Sequence, residues 1–368
     1  HPNAVSFVSG GLTNNLYFTG SVDYSSLTPL YERSPDLQVL IKESPVSGTA
    51  EYFIIIINKG INFLKIVLSS NPSQGALSIS ELSKGTSHYQ RIINDVIGGF
   101  ILATNLQKSY KVLAVTFSQG EQDYINGTTY QAYKTALIKL KNDINTDIRD
   151  ITGQREDVKF IIYQTSTIND LSVTPEIAYA QFDAAIEENN IYMATPTYHF
   201  SYGDDYHLKA AYSKLLGLYY GKTLYDIITK GYFKPLHIIN HIINDNVIEL
   251  YFNYPDFNNV GNFTLATANP HSLTITNYGF KLLNSESEDI IVNVTIKENL
   301  FNNKAIVITC SELINTGFTI LYGTDKFNIP NTKVNAGNFY IPSTKPPLNI
   351  DGYNVNFDIW CPIFKYVI

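Results

Sequence analysis

The sequence predicts an α/β protein: a parallel sheet flanked by helices in three layers, followed by a C-terminal antiparallel β-sandwich. Two observations support this prediction. Between about residues 60 and 230, short β-branched runs alternate with longer helical patterns, as repeated β-α-β units require. After Pro235 the apolar runs are short and alternating, and Asn, Gly, Ser and Asp separate them. We therefore divide the chain into an α/β domain, residues 1–233, and a β-rich domain, residues 234–368.

The α/β domain is predicted from the period of its apolar residues. Residues 111–120, KVLAVTFSQG, have the composition of a strand buried on both faces, whereas Ile93, Val96 and Phe100 lie on one face of a predicted helix. Strands are predicted at 63–70, 111–120, 157–166 and 191–196, and helices at 87–107, 129–151, 174–190 and 205–231. Since ligands collect at the carboxyl ends of parallel strands, the loops at 69–87, 118–129 and 195–207 are the candidate site.

The β-rich domain is predicted from four short runs with turn residues between them. They lie at 246–254, 272–283, 290–298 and 304–313. Cys310 and Cys361 also fall in this part of the chain, and their spacing does not fit a zinc site. Two interpretations stay open for them: a disulfide in an oxidising compartment, or two buried free thiols.

Charge and hydropathy exclude two classes of partner. The net charge of −7 argues against a nucleic acid, because binding a phosphate backbone normally needs a basic face. No apolar run reaches the roughly 20 residues that span a bilayer, so we expect no membrane insertion. The only methionine is Met193 and the chain begins with His1, so we expect a processed product or a fragment.

The segment GDDYHL places Asp204 three residues before His207, at the start of the last predicted helix. A carboxylate that orients a histidine, which then deprotonates a nucleophile, is part of a Ser-His-Asp apparatus. Asp205 is the expected N-cap of the helix, which leaves Asp204 for the histidine. A surface cap followed by an incidental histidine would have the same sequence, so both interpretations stay open.

Two further loops carry polar groups at strand ends. Residues 119–123, QGEQD, follow a core strand, where an oxyanion donor or a substrate-binding group belongs; the alternative is a turn whose acids cap the next helix. In GTS, Gly85 lets the backbone approach closely and its N–H can face an oxyanion, while Thr86 or Ser87 caps the helix.

The order of these pieces, GTS at 85–87, QGEQD at 119–123 and DDYHL at 204–208, resembles the SGNH hydrolases, which have a flavodoxin-like fold, and among them the sialate-O-acetylesterase-like carbohydrate esterases. Segments at 25–32 and 43–53 are similar to the stretch between the first two strands of such proteins. GFKLLNSESED and NFDIWCPIF are similar to the β-rich accessory domain that some members carry in phage tail spikes and bacterial surface enzymes.

The resemblance implies a role for each matching residue. His207 would be the general base and Asp204 its orienting partner; the N–H of Gly85 and the amide of Gln122 would bind the oxyanion. Glu121 would be a structural or substrate-orienting acid and Asp123 would hold the loop. Gln119 and Tyr124 would contact substrate, and Tyr198, Tyr202 and Tyr206 would also suit the face of a sugar ring by stacking. No metal and no cofactor are implied.

The chain departs from the family at the nucleophile. The family's serine lies in a Gly-x-Ser motif directly after the first strand, and Ser9 precedes two glycines but follows no long apolar strand. We therefore expect the serine upstream of His1.

The expected function is removal of O-acetyl groups from a surface or capsular polysaccharide, by an extracellular or virion-associated protein. The alternative is an inactive glycan-binding or structural module of a tail spike. A homotrimer would be in keeping with spike proteins, although no stretch of the sequence identifies its interface.

Overall fold

The computed structural model describes residues 4–9, 21–29, 44–60, 66–167, 174–253, 262–298, 304–350 and 353–368. Within them the chain forms two compact units. The first unit comprises His1–Tyr163, Glu187–Ala194 and His207–Phe233. The second comprises Gln164–Ile186, Thr195–Tyr206 and Lys234–Ile368, so two segments of the α/β region group with the β-rich region.

Strands and helices alternate through the first 230 residues. The strands are β1 (Ala4–Ser9), β2 (Ser21–Pro29), β3 (Val67–Leu68), β4 (Ala114–Phe117), β5 (Lys159–Gln164) and β6 (Ile191–Pro196). The helices are α1 (Pro45–Gly60), α2 (Ser87–Asn105), α3 (Glu121–Ile125), α4 (Tyr130–Thr152), α5 (Glu176–Glu187) and α6 (Ala210–Lys230). The strands predicted from sequence are all present, although the one predicted at 63–70 begins outside the described residues.

The strands form two small sheets. One has the order β4-β5-β6, and Val115 pairs in parallel with Phe160. The other has the order β2-β1-β3: β1 is antiparallel to β2 and parallel to β3. The parallel sheet confirms the α/β class, whereas the three-layer arrangement stays a prediction. The residues of β4 are half-buried, so the expectation that this strand is buried on both faces is wrong.

Helices α1 and α6 pack closely because three glycines lie at their contact. A Cβ on Gly217 would lie 2.0 Å from the carbonyl oxygen of Pro45, and one on Gly48 would lie 2.3 Å from that of Lys214. A Cβ on Gly221 would lie 2.8 Å from the carbonyl oxygen of Thr49. A side chain at any of these positions would push the two helices apart.

The described residues from 238 onward form antiparallel strands and a 3₁₀ turn at Thr276–Gly279. The strands are β7 (Ile238–Asn244), β8 (Val247–Phe252), β9 (Thr264–Leu265), β10 (Phe280–Leu283), β11 (Ile291–Glu298), β12 (Lys304–Cys310), β13 (Thr319–Tyr322), β14 (Asp325–Ile329), β15 (Thr332–Ala336), β16 (Phe339–Ile341), β17 (Leu348–Ile350), β18 (Tyr353–Val355), β19 (Ile359–Trp360) and β20 (Phe364–Val367). They form sheets of order β11-β12-β8-β7, β10-β13-β20, β19-β16-β9, β14-β15 and β17-β18. A β-rich region is thus confirmed, and its description as a sandwich stays a prediction. Cys310 and Cys361 are buried free thiols.

A buried histidine lies among aromatic rings in the second unit. The imidazole of His199 stacks on the indole of Trp360, with ring centroids 4.9 Å apart and planes 14° apart. Burial, reinforced by nearby His271, holds the pKa of His199 well below its usual range. The imidazole is therefore neutral in the folded protein at neutral pH.

This histidine predicts an acid-dependent loss of stability. A base with a lowered pKa binds fewer protons when folded than when unfolded, so the free energy of unfolding falls as the pH drops below about 6.5. His199→Phe retains a ring against Trp360 and does not titrate. We expect it to reduce the slope of unfolding free energy against pH, by up to about 1.4 kcal/mol per pH unit. Urea unfolding between pH 4 and 8 measures the slope, and an unchanged slope in the variant would contradict the assignment.

Candidate active site

The loop after β3 places two serines at a strand end. Ser69 and Ser70 follow Leu68 directly and are half-buried, as is Asn71. Further along, Arg91 of α2 donates to the side-chain oxygen of Gln74 at 3.3 Å. This loop therefore presents hydroxyl groups at the carboxyl end of a parallel strand, where catalytic groups of α/β proteins collect.

The same loop ends in a turn whose backbone requires glycine. Gly85 has φ +100°, and the N–H of Thr86 donates to the carbonyl of Ser83 at 3.2 Å. The hydroxyl of Thr86 then accepts from the N–H of Tyr89, which makes Thr86 the N-cap of α2. The capping role predicted for this segment is confirmed, with Thr86 as the cap. Gly85 itself is exposed and an added Cβ would meet no atom within 4 Å, so φ rather than crowding selects glycine here.

Asp123 connects the loop after β4 to the loop after β3. Its Oδ2 accepts from the backbone N–H of Ile79 at 2.8 Å and from the side-chain amide of Gln119. Its Oδ1 accepts from the hydroxyl of Thr128 at 2.8 Å. Gln119 in turn donates to the carbonyl of Leu77 at 3.2 Å. Asp123 therefore holds the two loops together, in agreement with the loop-holding role expected for it.

Replacing Asp123 should destabilise the protein strongly. Its side chain is only 1% exposed, so Asp123→Ala would leave several buried donors without an acceptor. We expect a loss of about 3 kcal/mol in the free energy of unfolding. Urea denaturation measures it, with Asn126→Ala on the exposed end of the same segment as the control, for which we expect a change below about 0.5 kcal/mol. A loss below about 1 kcal/mol in Asp123→Ala would contradict this account.

The other polar residues of this segment have different partners. The amide of Gln119 is buried, and its Oε1 accepts from the hydroxyl of Tyr133 at 2.8 Å. Tyr163 Oη lies 2.6 Å from both carboxylate oxygens of Glu121. The amide of Gln122 donates to Asn126 Oδ1 at 2.9 Å, within the same stretch of chain. Gln119 thus has a structural role here; the substrate-binding roles of Gln119, Glu121 and half-buried Tyr124, and the oxyanion role of Gln122, stay predictions.

Helix α6 is tied to the end of β4. The hydroxyl oxygens of Ser118 and Tyr220 lie 2.8 Å apart, and Tyr220 also lies 3.5 Å from the carbonyl oxygen of Phe117. Burial raises the pKa of the Tyr220 phenol, so that it stays protonated at neutral pH and can donate a hydrogen bond. Sequence analysis did not select Ser118 or Tyr220, since their contact joins residues about a hundred positions apart.

The last strand-end loop carries the predicted base. His207 is exposed, three residues before α6, and belongs to the first unit, whereas Asp204 belongs to the second. Asp204 Oδ1 accepts from the backbone N–H of Tyr206 at 3.0 Å. The pairing of Asp204 with His207 stays a prediction. The expectation that Asp205 caps the helix is wrong, because α6 begins later and Lys209 occupies the N-cap position without a side-chain cap.

Two of the tyrosines proposed to stack on a sugar are in the wrong environment for that role. Tyr198 and Tyr202 are 0% and 2% exposed. The hydroxyl of Tyr198 donates to the carbonyl of Cys361 at 2.7 Å, and that of Tyr202 lies 3.3 Å from the carbonyl of Thr197. Both rings belong to the interior of the second unit, so the expectation for them is wrong. Tyr206 is half-buried.

Part of the chain matches a known protein family. A family model described as carbohydrate esterase, sialic acid-specific acetylesterase, matches residues 61–226. Residues 61–226 are similar to this carbohydrate esterase family. The resemblance to the sialate-O-acetylesterase-like SGNH hydrolases is thereby confirmed.

A solved structure shows a similar fold. The chain is similar to a carbohydrate acetylesterase from Xanthomonas citri, with 11% sequence identity and a TM-score of 0.52, over 86% of this chain. The chain spans 65% of the length of that protein. At this identity the likeness concerns the fold alone. A search of curated proteins finds no match.

The start of the esterase match bears on the missing nucleophile. The match begins at residue 61, so the first described strand within it is β3, and Ser69 and Ser70 follow that strand. The sequence pattern indicates this loop as part of the candidate site, whereas the resemblance leads us to expect the nucleophile upstream of His1. The signal available in the sequence was two hydroxyl residues directly after an apolar, β-branched run.

Metal sites and membrane-spanning helices are both absent from the described residues. Among the described residues, no three His, Cys, Asp or Glu side chains come together as a metal site. None of the helices in the described ranges is both long and apolar enough to cross a bilayer.

Proposed function

We propose that this protein is a serine esterase that removes O-acetyl groups from a carbohydrate. The match of residues 61–226 to an acetylesterase family supports the activity. The observation that supports it most strongly in the structure is the loop after β3, whose serines lie at a strand end and whose backbone is held at Ile79 by Asp123 of the QGEQD segment. A nucleophile-bearing loop needs such a fixed backbone, because catalysis depends on the position of the attacking oxygen.

We assign the nucleophile to Ser70. In the family that this chain resembles, the serine is the third residue of a Gly-x-Ser motif after the first strand. Leu68 ends β3 and stands where the motif has glycine, and Ser69 and Ser70 follow the strand, with Ser70 in the position of the family's serine. Ser69 is the neighbouring alternative, and it provides the matched control in experiments. Ser9, the last residue of β1, lies outside the esterase match.

The proposed reaction proceeds in two steps. The Oγ of Ser70 attacks the acetyl carbonyl carbon while its proton passes to His207, and the tetrahedral intermediate collapses as the sugar oxygen leaves with that proton. Water, deprotonated by His207, then hydrolyses the acetyl-serine and releases acetate. Asp204 is the proposed partner that orients the imidazole. No redox change and no cofactor enter these steps.

The oxyanion is assigned to backbone and amide donors. The N–H of Gly85 is the proposed backbone donor, at a turn whose positive φ favours glycine. Gln122 is the proposed side-chain donor, and its amide must leave Asn126 to reach substrate. A donor fixed before the reaction stabilises the developing negative charge at little reorganisation cost, which applies to the Gly85 N–H, whereas Gln122 must first change its partner.

The proposal also includes a substrate, a location and an oligomeric state. We assign an O-acetylated surface or capsular polysaccharide as substrate, an extracellular or virion-associated location, and a homotrimer as the assembly. Tyr124 and Tyr206 are the proposed contacts to sugar, since both residues are only half-buried. Light scattering of the purified protein tests the trimer.

Release of acetate from an O-acetylated polysaccharide tests the function. We expect turnover of the acetylated polymer, and hydrolysis of 4-nitrophenyl acetate as a second readout. The chemically deacetylated polymer is the matched control. Binding to the acetylated polymer without acetate release, together with no hydrolysis of the aryl ester, would overturn the proposal in favour of a glycan-binding module.

A further inference from the structure

The β14–β15 hairpin holds the loop that carries Asp204. The side-chain amide of Asn331 donates to the carbonyl of Tyr202 at 2.9 Å. The hydroxyl of Thr332 donates to the carbonyl of Asp205 at 2.6 Å. All of these residues belong to the second unit. The two carbonyls lie on either side of Asp204 in the chain, so the hairpin fixes the backbone both before and after this carboxylate.

The turn of the hairpin has a side-chain amide, that of Asn331, which the turn conformation itself does not require. Ile329 pairs with Thr332, which leaves Pro330 and Asn331 as the two turn residues. Asn331 has φ +73°, and a proline followed by a residue of positive φ is the pattern of a type II turn. Glycine meets that backbone requirement at lower steric cost. Asparagine adds a donor, and the structure directs this donor to the Asp204 loop.

The hairpin is itself anchored, so its contacts can constrain the loop. Val334 pairs with Thr167, just beyond β5. The backbone N–H of Asn335 donates to the carbonyl of Ser166 at 2.9 Å, and its side-chain amide donates to the carbonyl of Thr324 at 2.9 Å. Asn335 is fully buried. The hairpin is therefore fixed within the second unit, on Ser166 and Thr167.

The carboxylate of Asp204 depends on this backbone for its direction. Asp204 is exposed, and its Oδ1 accepts from the N–H of Tyr206 at 3.0 Å. An exposed side chain receives little orientation from packing. The main chain around it, held at Tyr202 and Asp205, therefore sets where the carboxylate lies.

We propose that Asn331 and Thr332 are positioning residues of the esterase, which fix Asp204 through the carbonyls on either side of it. The proposal rests on the proposed function, in which Asp204 orients His207. It makes the β14–β15 hairpin a working part of the hydrolase, in contrast to the accessory role that the sequence suggests for the β-rich region.

Thr332→Val tests the proposal because valine has nearly the shape of threonine without the hydroxyl. We expect kcat on 4-nitrophenyl acetate to fall about 10-fold with KM unchanged within about 2-fold, as for a misplaced catalytic group. Thr332→Ser restores the hydroxyl and should restore kcat. Asn331→Gly keeps the positive φ and removes the amide, and should lower kcat in the same way.

A double-mutant cycle separates positioning from general damage. In an Asp204→Asn background the carboxylate is absent, so Thr332→Val should cause no further loss of kcat. A kcat within 2-fold of the unmodified protein in both Thr332→Val and Asn331→Gly would overturn the proposal. So would a full 10-fold additional loss from Thr332→Val in the Asp204→Asn background, because the effect would then bypass Asp204.

Failure of the proposed function gives a different pattern. In that case the unmodified protein releases no acetate, or Ser70→Ala and His207→Ala retain its activity. Failure of the positioning role alone leaves the unmodified protein active and these two variants inactive, while Thr332→Val is normal.

Discussion

Ser70→Ala should lower kcat for acetyl esters by at least about 10³-fold, the scale of loss when a serine hydrolase loses its nucleophile. Without the hydroxyl no acetyl-serine forms, and only water positioned in the site remains to attack the ester. The substrate contacts are unaffected by the change, so binding of the acetylated polysaccharide should persist. Acetate release and polysaccharide binding, measured on the same preparation, distinguish the two effects.

Neighbouring serines provide matched controls for that experiment. Ser69→Ala removes the adjacent hydroxyl of the same loop, and Ser118→Ala removes the hydroxyl that lies against Tyr220. We expect both to retain kcat within about 10-fold, because neither hydroxyl attacks the ester. A fluorophosphonate should label the unmodified protein at Ser70. Labelling at Ser69 or Ser9, or full activity of Ser70→Ala, would show that the nucleophile is assigned to the wrong residue.

Most helices and strands between β3 and α6 were predictable because each carries its own signal, whereas the short helix α3 was not predicted. Thr129 caps α4 and Gly153 ends it with φ +68°, so both limits are encoded locally. Helix α1 was not predicted. Its run of isoleucines favours a strand by local preference, yet it is helical and packs on α6, where Gly48 meets Gly217 and Thr49 meets Gly221. Contacts between residues about 170 positions apart cannot be predicted from a short stretch of sequence.

In the candidate site, too, some features could be predicted from the local sequence and others could not. The positive φ of Gly85 and the loop-holding role of Asp123 follow from residue type next to a strand or helix. The burial of Tyr198 could not be predicted in this way, because its hydroxyl donates to the carbonyl of Cys361, which lies far along the chain. The start of α6 was missed for a related reason. Asp205 has the residue type of a cap, but its carbonyl is held by Thr332, and the helix begins only after Lys209.

Ser70, the proposed nucleophile, was not selected from the sequence because the apolar stretch before it contributes to two elements. Residues 51–60 complete α1, and the strand that follows is described only at Val67–Leu68. When residues 52–68 are taken as one apolar stretch interrupted by Asn58, Lys59 and Gly60, the end of the short strand cannot be recognised. Its pairing with β1, Val5 against Leu68, is what defines the strand end next to Ser69 and Ser70.

His207→Ala should lower kcat by a similar factor, at least about 10³-fold, because the serine would lose its general base. His207 is exposed and lies outside α6, so we expect the melting temperature to change little. Since the two residues act on the same proton, Ser70→Ala and His207→Ala should not be additive: the double variant should be about as slow as either single variant. Kinetics of acetate release and thermal unfolding of all three proteins measure these expectations.

Chemical rescue gives this prediction a sharper form. The alanine removes only an imidazole, so added imidazole should raise the activity of His207→Ala and leave Ser70→Ala unchanged, because in the second variant there is no hydroxyl to deprotonate. Lys209→Ala, an exposed substitution two residues away, is the matched control and should keep full activity. Activity of His207→Ala within 10-fold of the unmodified protein would remove His207 from the mechanism. The Asp204 positioning role of Thr332 would then lose its basis as well, since it acts through this histidine.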